Sequence, residues 1–296
     1  MMQPTLHHLA CPDAQGSHRM AYWSWGPIDH PHVVVCVHGL TRQGRDFDVL
    51  AQALVGEGGQ RCRVVSVDIV GRGQSDWLKD PMAYQLPTYG ADMLALLAHL
   101  RASGTVQTVD WMGTSMGGLI GMAVAAQPAS GLRKLVLNDV GPALELAALQ
   151  RIGTYVGMAP HFDSEQAAVD YLWLLSSTFG PHTPEQWLAL SRPMLRQVGG
   201  QWCLHYDPAM ALPFKSTTEE ATRQNEALLW KLYDTITADT LLTRGAQSDL
   251  LSPATAQAMT QRGPKARLVE FEGVGHAPTF VANNQVDTVT SFIFGA

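Results

Sequence analysis

The sequence GTSMG, residues 113–117, lies where an apolar run, residues 106–112, gives way to a stretch of small, helix-forming residues, 116–126. A G-x-S-x-G pattern is informative when it joins a strand to a helix, and both patterns flank Ser115. Its two glycines allow a sharp turn that lifts the serine hydroxyl clear of the sheet. The free N–H groups at the start of the following helix face developing negative charge. The stretch therefore predicts a nucleophile elbow, with a turn whose glycines serve packing alone as the alternative.

Apolar patterns on both sides of this turn predict a mostly parallel sheet with helices on its two faces. Continuous apolar runs, typical of strands buried on both sides, occur at residues 18–25, 32–37, 62–67, 106–112, 132–138, 240–243 and 266–271. Apolar residues recur at helical spacing in residues 47–55 and 89–100, and residues 286–294 are predicted to form a last helix. This alternation places the chain in the α/β class.

The alternation stops between residues 142 and 239, where helical segments are separated by glycines and prolines. We therefore predict a helical cap, residues 142–239, inserted into a core domain made of residues 1–141 and 240–296. Four of the eight tryptophans lie in this segment, and most are expected to pack the cap onto the core. Trp173, Trp187 and Trp202 are the candidates for the wall of an apolar substrate pocket.

Charge and composition exclude several classes of partner. The net charge of −6 comes from scattered residues, without the basic patch that nucleic acid or an anionic membrane surface requires. No run approaches eighteen apolar residues, and the N-terminus lacks the basic start and apolar middle of a signal peptide. A cytoplasmic protein acting on a small molecule is expected.

Cofactor patterns are also missing from the sequence. The four cysteines are far apart, with no C-x-x-C pair, and are expected to be free thiols. The eleven histidines include no H-E-x-x-H or similar cluster, so no metal is expected. The loop at residues 68–75 lacks the Lys-Ser/Thr of a P-loop and is predicted to be a structural turn. No cofactor of any kind is implied.

A serine nucleophile needs a base within hydrogen-bond reach and a third group that holds the base. Asp249 follows the predicted strand 240–243, and His276 follows the last predicted strand in a Gly-Val-Gly-His loop. Both lie at carboxyl ends of strands, where open α/β sheets bind ligands. Asp139, after the strand 132–138, is the rival for the acid, and His38 is the rival for the base.

An acyl-transfer reaction also needs two N–H groups that hold the developing oxyanion. The N–H of Met116, directly after the serine, is one candidate. The N–H of Leu40, in the His38-Gly39-Leu40 loop after the strand 32–37, is the second. We expect His38 to brace this loop by hydrogen bonding.

Taken together, these motifs resemble those of the α/β-hydrolase fold superfamily over nearly the whole chain. The resemblance is carried by His38-Gly39, Asp68-x-x-Gly-x-Gly-x-Ser75, the elbow, Asp249 and Gly275-His276. It implies an eight-stranded, mostly parallel sheet and a Ser115/His276/Asp249 triad. A serine at the elbow departs from the similar haloalkane dehalogenases and epoxide hydrolases, which carry aspartate there.

The Ser-Met-Gly-Gly elbow resembles that of carboxylesterases, enol-lactonases and carbon–carbon bond hydrolases of aromatic degradation. We expect a serine carboxylesterase that hydrolyses esters of small to medium apolar acyl or aryl groups through an acyl-enzyme. The carbon–carbon hydrolase or enol-lactonase is the alternative, and Arg42 or Arg45 would then meet a substrate carboxylate. A ligand receptor that has lost turnover is the third hypothesis.

Overall fold

The computed structural model describes residues 2–215 and 219–295 and is built on an eight-stranded sheet in the order β1-β2-β4-β3-β5-β6-β10-β11. Its strands are β1 (Thr5–Asp13), β2 (Gly16–Trp25), β3 (His32–Val37), β4 (Arg63–Asp68), β5 (Thr108–Thr114), β6 (Leu132–Asn138), β10 (Asp239–Gly245) and β11 (Arg267–Phe271). The strands from β4 to β11 pair in parallel, whereas β1 and β2 pair antiparallel with their neighbours. The predicted sheet is confirmed.

Helices cover both faces of this sheet. The core helices are α1 (Asp48–Val55), α2 (Leu86–Arg101), α3 (Met116–Ala125), α9 (Pro253–Met259) and α10 (Asn283–Phe294). In β3, Val33 and Val35 pack into the cluster that contains α2 and α3, while Val34 and Cys36 pack into the cluster with α1 and α10. Alternate residues of a strand point to opposite faces, so a continuous apolar run is buried on both.

The segment between β6 and β10 contains strands as well as helices. It consists of α4 (Leu146–Tyr155), β7 (His161–Phe162), α5 (Glu165–Leu175), α6 (Pro184–Ser191), β8 (Leu195–Val198), β9 (Gln201–Leu204), α7 (Ala211–Lys215) and α8 (Glu219–Thr235). The three strands form a small antiparallel sheet in the order β7-β9-β8. The prediction of a helical cap did not include these three strands, because strands of two to four residues are too short to show a period.

Backbone hydrogen bonds attach this segment to the loop after β4. The Gly73 N–H donates to the His205 carbonyl, the Asp207 N–H donates to the Gly71 carbonyl, and Arg72 pairs with Tyr206 as an isolated bridge. The segment therefore lies over the carboxyl ends of the parallel strands. No helix within the described residues has the length and apolar character needed to cross a membrane.

Candidate active site

Ser115 lies on a strained turn between β5 and α3. Its φ is 51°, a left-handed value that is uncommon for a residue with a side chain. A Cβ atom at Gly117 would overlap the Val37 carbonyl oxygen, and one at Gly113 would overlap the Gly117 carbonyl oxygen. Both glycines are therefore required by close backbone approach, as the elbow prediction states.

His276 contacts both Ser115 and a buried carboxylate. Its Nε2 lies 3.0 Å from the Ser115 Oγ, and its Nδ1 lies 2.7 Å from an Asp139 oxygen. A carboxylate can only accept, so the ring carries its proton on Nδ1 and its Nε2 accepts from the serine hydroxyl. The three side chains form one continuous hydrogen-bonded chain.

The carboxylate that bonds to His276 belongs to Asp139. The prediction that Asp249 holds His276 is therefore wrong. Asp249 instead pairs with Arg151, at 2.8 and 3.0 Å, and its side chain is 43% exposed. Asp139 is fully buried and also accepts from the Gly245 N–H at 2.9 Å and from the Ser248 hydroxyl at 2.6 Å. Its φ of 54° turns the chain directly after β6 so that the carboxylate faces His276.

His38 fixes the loop that precedes the candidate oxyanion donor Leu40. Its Nδ1 donates to the Gly39 carbonyl at 2.7 Å, and its Nε2 accepts from the Ile69 N–H at 3.0 Å. Burial lowers the pKa of His38 to about 3, so the ring is neutral. His38 thus braces the loop by hydrogen bonding and lies outside the chain of proton-transferring groups.

Arg72 links this loop to the start of α3. The fully buried guanidinium donates from Nε to the Leu40 carbonyl at 2.8 Å, and its Nη2 lies 3.5 Å from the Met116 sulfur. It also donates to the Tyr89 hydroxyl at 3.1 Å. The sequence reasoning missed Arg72. The signal available in the sequence was an arginine between two glycines, Gly71 and Gly73, in the loop after a predicted strand.

A cavity of about 860 Å³, part of it open to solvent, joins Ser115 and His276 to the segment above the sheet. Its lining is mainly apolar and aromatic, with Ile152, Tyr155, Tyr171, Leu172, Phe179, Met194 and Tyr206 among its residues. Leu40 also lines it, together with two arginines, Arg42 and Arg151.

The three candidate tryptophans do not belong to the described lining of this cavity, so the prediction that they form its wall is wrong. Trp187 is buried and donates to the Val169 carbonyl at 3.1 Å, and Trp173 packs edge-on against it. Trp202 lies in β9 and pairs with Phe162 of β7. The tryptophan rings pack within the segment. Tyrosines, rather than these tryptophans, line the cavity.

One group of potential metal ligands occurs among the described residues, away from Ser115. Cys11, His18 and Asp92 join β1, β2 and α2, with their ligand atoms within 4.8 Å of one another. His18 already bonds to Asp92 at 2.9 Å and to Asp13 at 3.1 Å. These hydrogen bonds raise the pKa of His18, with Asp92 contributing most. The cluster pins the β1–β2 hairpin onto α2.

Comparisons with known proteins identify the family of this chain. The model of the alpha/beta hydrolase family matches residues 34–286. The chain is similar to a 3-hydroxybutyrate-oligomer hydrolase of Cupriavidus necator, with 48% identity over 99% of both chains. An esterase of Mycobacterium tuberculosis is 28% identical over 82% of this chain and 76% of its own length.

A solved structure gives the same result. An alpha/beta hydrolase from Novosphingobium aromaticivorans superposes with a TM-score of 0.82 and 32% identity, covering 98% of this chain and 97% of its own. The family model spans most of this sequence, and both curated relatives are hydrolases. The chain therefore belongs to the alpha/beta hydrolase family and is an ester hydrolase.

Proposed function

We propose that Ser115 is the nucleophile of a two-step hydrolysis of carboxylic esters, with His276 as the base and Asp139 as the group that holds the base. The observation that carries the proposal is the hydrogen-bonded chain from the Ser115 Oγ through both nitrogens of His276 to Asp139. This is the arrangement that activates a serine hydroxyl in acyl transfer.

The first step transfers the acyl group to Ser115. His276 Nε2 takes the serine proton while the Oγ attacks the ester carbonyl, and the charged ring is stabilised by Asp139. The N–H groups of Leu40 and Met116 hold the oxyanion, and His276 returns the proton to the departing alcohol. A water molecule activated by the same nitrogen then releases the acid.

The substrates we propose are esters of small to medium acyl groups, including short oligomers of hydroxy acids. Two observations support this class. The cavity at Ser115 has a mainly apolar and aromatic lining, and the protein is similar along its length to a 3-hydroxybutyrate-oligomer hydrolase. Each link in such an oligomer is an ester whose alcohol belongs to the next unit. The cavity tyrosines offer hydroxyl groups beside apolar walls.

The test compares the wild type with Ser115→Ala on p-nitrophenyl esters of increasing acyl length and on the linear dimer of 3-hydroxybutyric acid. We expect Ser115→Ala to lower kcat by about 10⁴-fold or more on every substrate. Ser164→Ala is the matched control, because Ser164 caps α5 and lies outside the site. Activity that survives Ser115→Ala would refute the proposal.

A further inference from the structure

Two arginines line the cavity at Ser115, and they differ in how they are held. Arg42 is buried against Phe179 and donates from Nε and Nη2 to Asp46, at 2.6 and 2.8 Å. Arg151 belongs to α4 and keeps 39% of its side chain exposed. Of the two, Arg151 has the more exposed side chain, whereas the Nη1 of Arg42 is buried and makes no hydrogen bond within the described residues.

The position of Arg151 is fixed relative to the triad. Asp249 accepts from its Nε and Nη2 at 2.8 and 3.0 Å, so the planar guanidinium is held in one orientation. Asp249 follows Ser248, whose hydroxyl donates to Asp139 at 2.6 Å. The Arg151 guanidinium is thus tied to the loop that donates to Asp139, the partner of His276, although Arg151 itself comes from the segment above the sheet.

A guanidinium has five N–H donors; Asp249 accepts from two of them, on Nε and Nη2, and the Tyr155 hydroxyl also interacts with Arg151. The edge formed by Nη1 and Nη2 has the geometry that pairs with a second carboxylate. Ile152 and Leu172 belong to the apolar lining of the same cavity. A substrate whose scissile ester lies at Ser115 and whose other end is a carboxylate would complete this site.

We propose that Arg151 binds the terminal carboxylate of the ester, so that the enzyme selects esters bearing a free acid over neutral esters. This rests on the proposed function and names its substrate class. A linear oligomer of a hydroxy acid has such a carboxylate at one end. The enzyme then cleaves the ester bond at a set distance from that end.

The experiment uses the linear 3-hydroxybutyrate dimer and the same dimer with its carboxyl group converted to the primary amide. Both contain one ester bond, and they differ in charge. At pH 8 we expect the wild type to show a kcat/KM at least about tenfold higher for the acid, mainly through KM, as one charge-assisted hydrogen bond provides. We expect 0.5 M salt to reduce this ratio.

Variants locate the effect. Arg151→Met should bring the ratio of acid to amide close to one, while Arg151→Lys should retain part of the preference because it keeps the charge. Arg192→Met is the matched control, since Arg192 makes the same two-pronged pair with Glu165 and is absent from the described cavity lining. It should leave the ratio at the wild-type value.

The outcomes separate this inference from the proposed function. If Ser115 is required for ester cleavage but the dimer amide is cleaved as well as the dimer acid, the inference about Arg151 is overturned and the proposed function stands. A preference for the acid that survives Arg151→Met overturns that inference too. Absence of Ser115-dependent hydrolysis with any ester overturns the proposed function instead.

Discussion

The buried Asp139 carboxylate accepts three hydrogen bonds, from Gly245, Ser248 and His276. Replacement by asparagine keeps the volume but places an amide NH₂ where an acceptor is needed, and it favours the wrong tautomer of His276. We expect Asp139→Asn to lower kcat on p-nitrophenyl butyrate by about 10⁴-fold. Circular dichroism and the melting temperature check that the variant is folded.

Asp249→Asn is the companion variant for this measurement. It removes a carboxylate of the same type that pairs with Arg151 in a half-exposed position. We expect its loss of kcat to be at least about 100-fold smaller than that of Asp139→Asn. Equal losses, or a larger loss at position 249, would show that the acid of the triad lies elsewhere.

The choice between these two aspartates shows where sequence reasoning reaches its limit. Both follow neighbouring parallel strands, β6 and β10, so both lie at the correct edge of the sheet. The period of a strand places its end but does not give the backbone angles of the next residue. The left-handed φ of Asp139 decides the direction of its side chain. Ser115 and His276 were predictable because glycines mark their turns.

At the level of elements, Arg72 connects the loop after β3, the start of α3 and the segment above the sheet, which it meets at Tyr206. Removing its guanidinium frees the Leu40 carbonyl and the Met116 side chain, the two residues proposed to hold the oxyanion. We expect Arg72→Met to lower kcat by about 10- to 100-fold, with a smaller change in KM. This decrease in kcat does not exceed the one that follows removal of a whole oxyanion donor.

The control for Arg72 is a buried arginine within the sheet itself, Arg63. Arg63 begins β4 at the amino end and donates to the Ser24 hydroxyl and the Ile28 carbonyl at 2.9 Å each. Arg63→Met should lower the melting temperature and leave kcat near the wild-type value. If Arg72→Met loses stability but keeps its kcat, its role is structural and the oxyanion donors are positioned by other contacts.

The elements that sequence predicted best are those buried on both faces, such as β3 and β5, because burial demands continuous apolar runs. Strand β1 was missed, since it lies at the edge and its residues, TLHHLACPD, are mostly exposed or half-buried. It forms because β2 offers nine paired positions. Pairing of this kind comes from tertiary structure and leaves little periodicity in the sequence.

Across the whole molecule, two buried groups with opposite effects, His38 and Asp68, contribute to the dependence of stability on pH. Burial lowers the pKa of His38 from 6.5 to about 3, with the cations Arg72 and Arg42 adding to the shift. Burial raises the pKa of Asp68 from 3.8 to about 6. Below pH 6.5 His38 is protonated in the unfolded chain but stays neutral in the folded protein, so the free energy of unfolding falls as the pH falls. Below pH 6 the folded protein gains a proton at Asp68, which acts in the opposite direction.

Subtracting a variant isolates the contribution of His38. At pH 5 the solution is about 1.5 units below the pKa of His38 in the unfolded chain. Protonation of the unfolded His38 between pH 8 and pH 5 therefore lowers the free energy of unfolding by about 2 kcal/mol. Urea unfolding of the wild type and of His38→Gln at both pH values measures this. Glutamine keeps a donor and an acceptor for the Gly39 carbonyl and the Ile69 N–H but cannot be protonated. We therefore expect the wild type to lose about 2 kcal/mol more than the variant on acidification. Equal losses would mean that His38 is protonated in the folded protein at pH 5. They would contradict the conclusion that a neutral His38 ring braces the Leu40 loop.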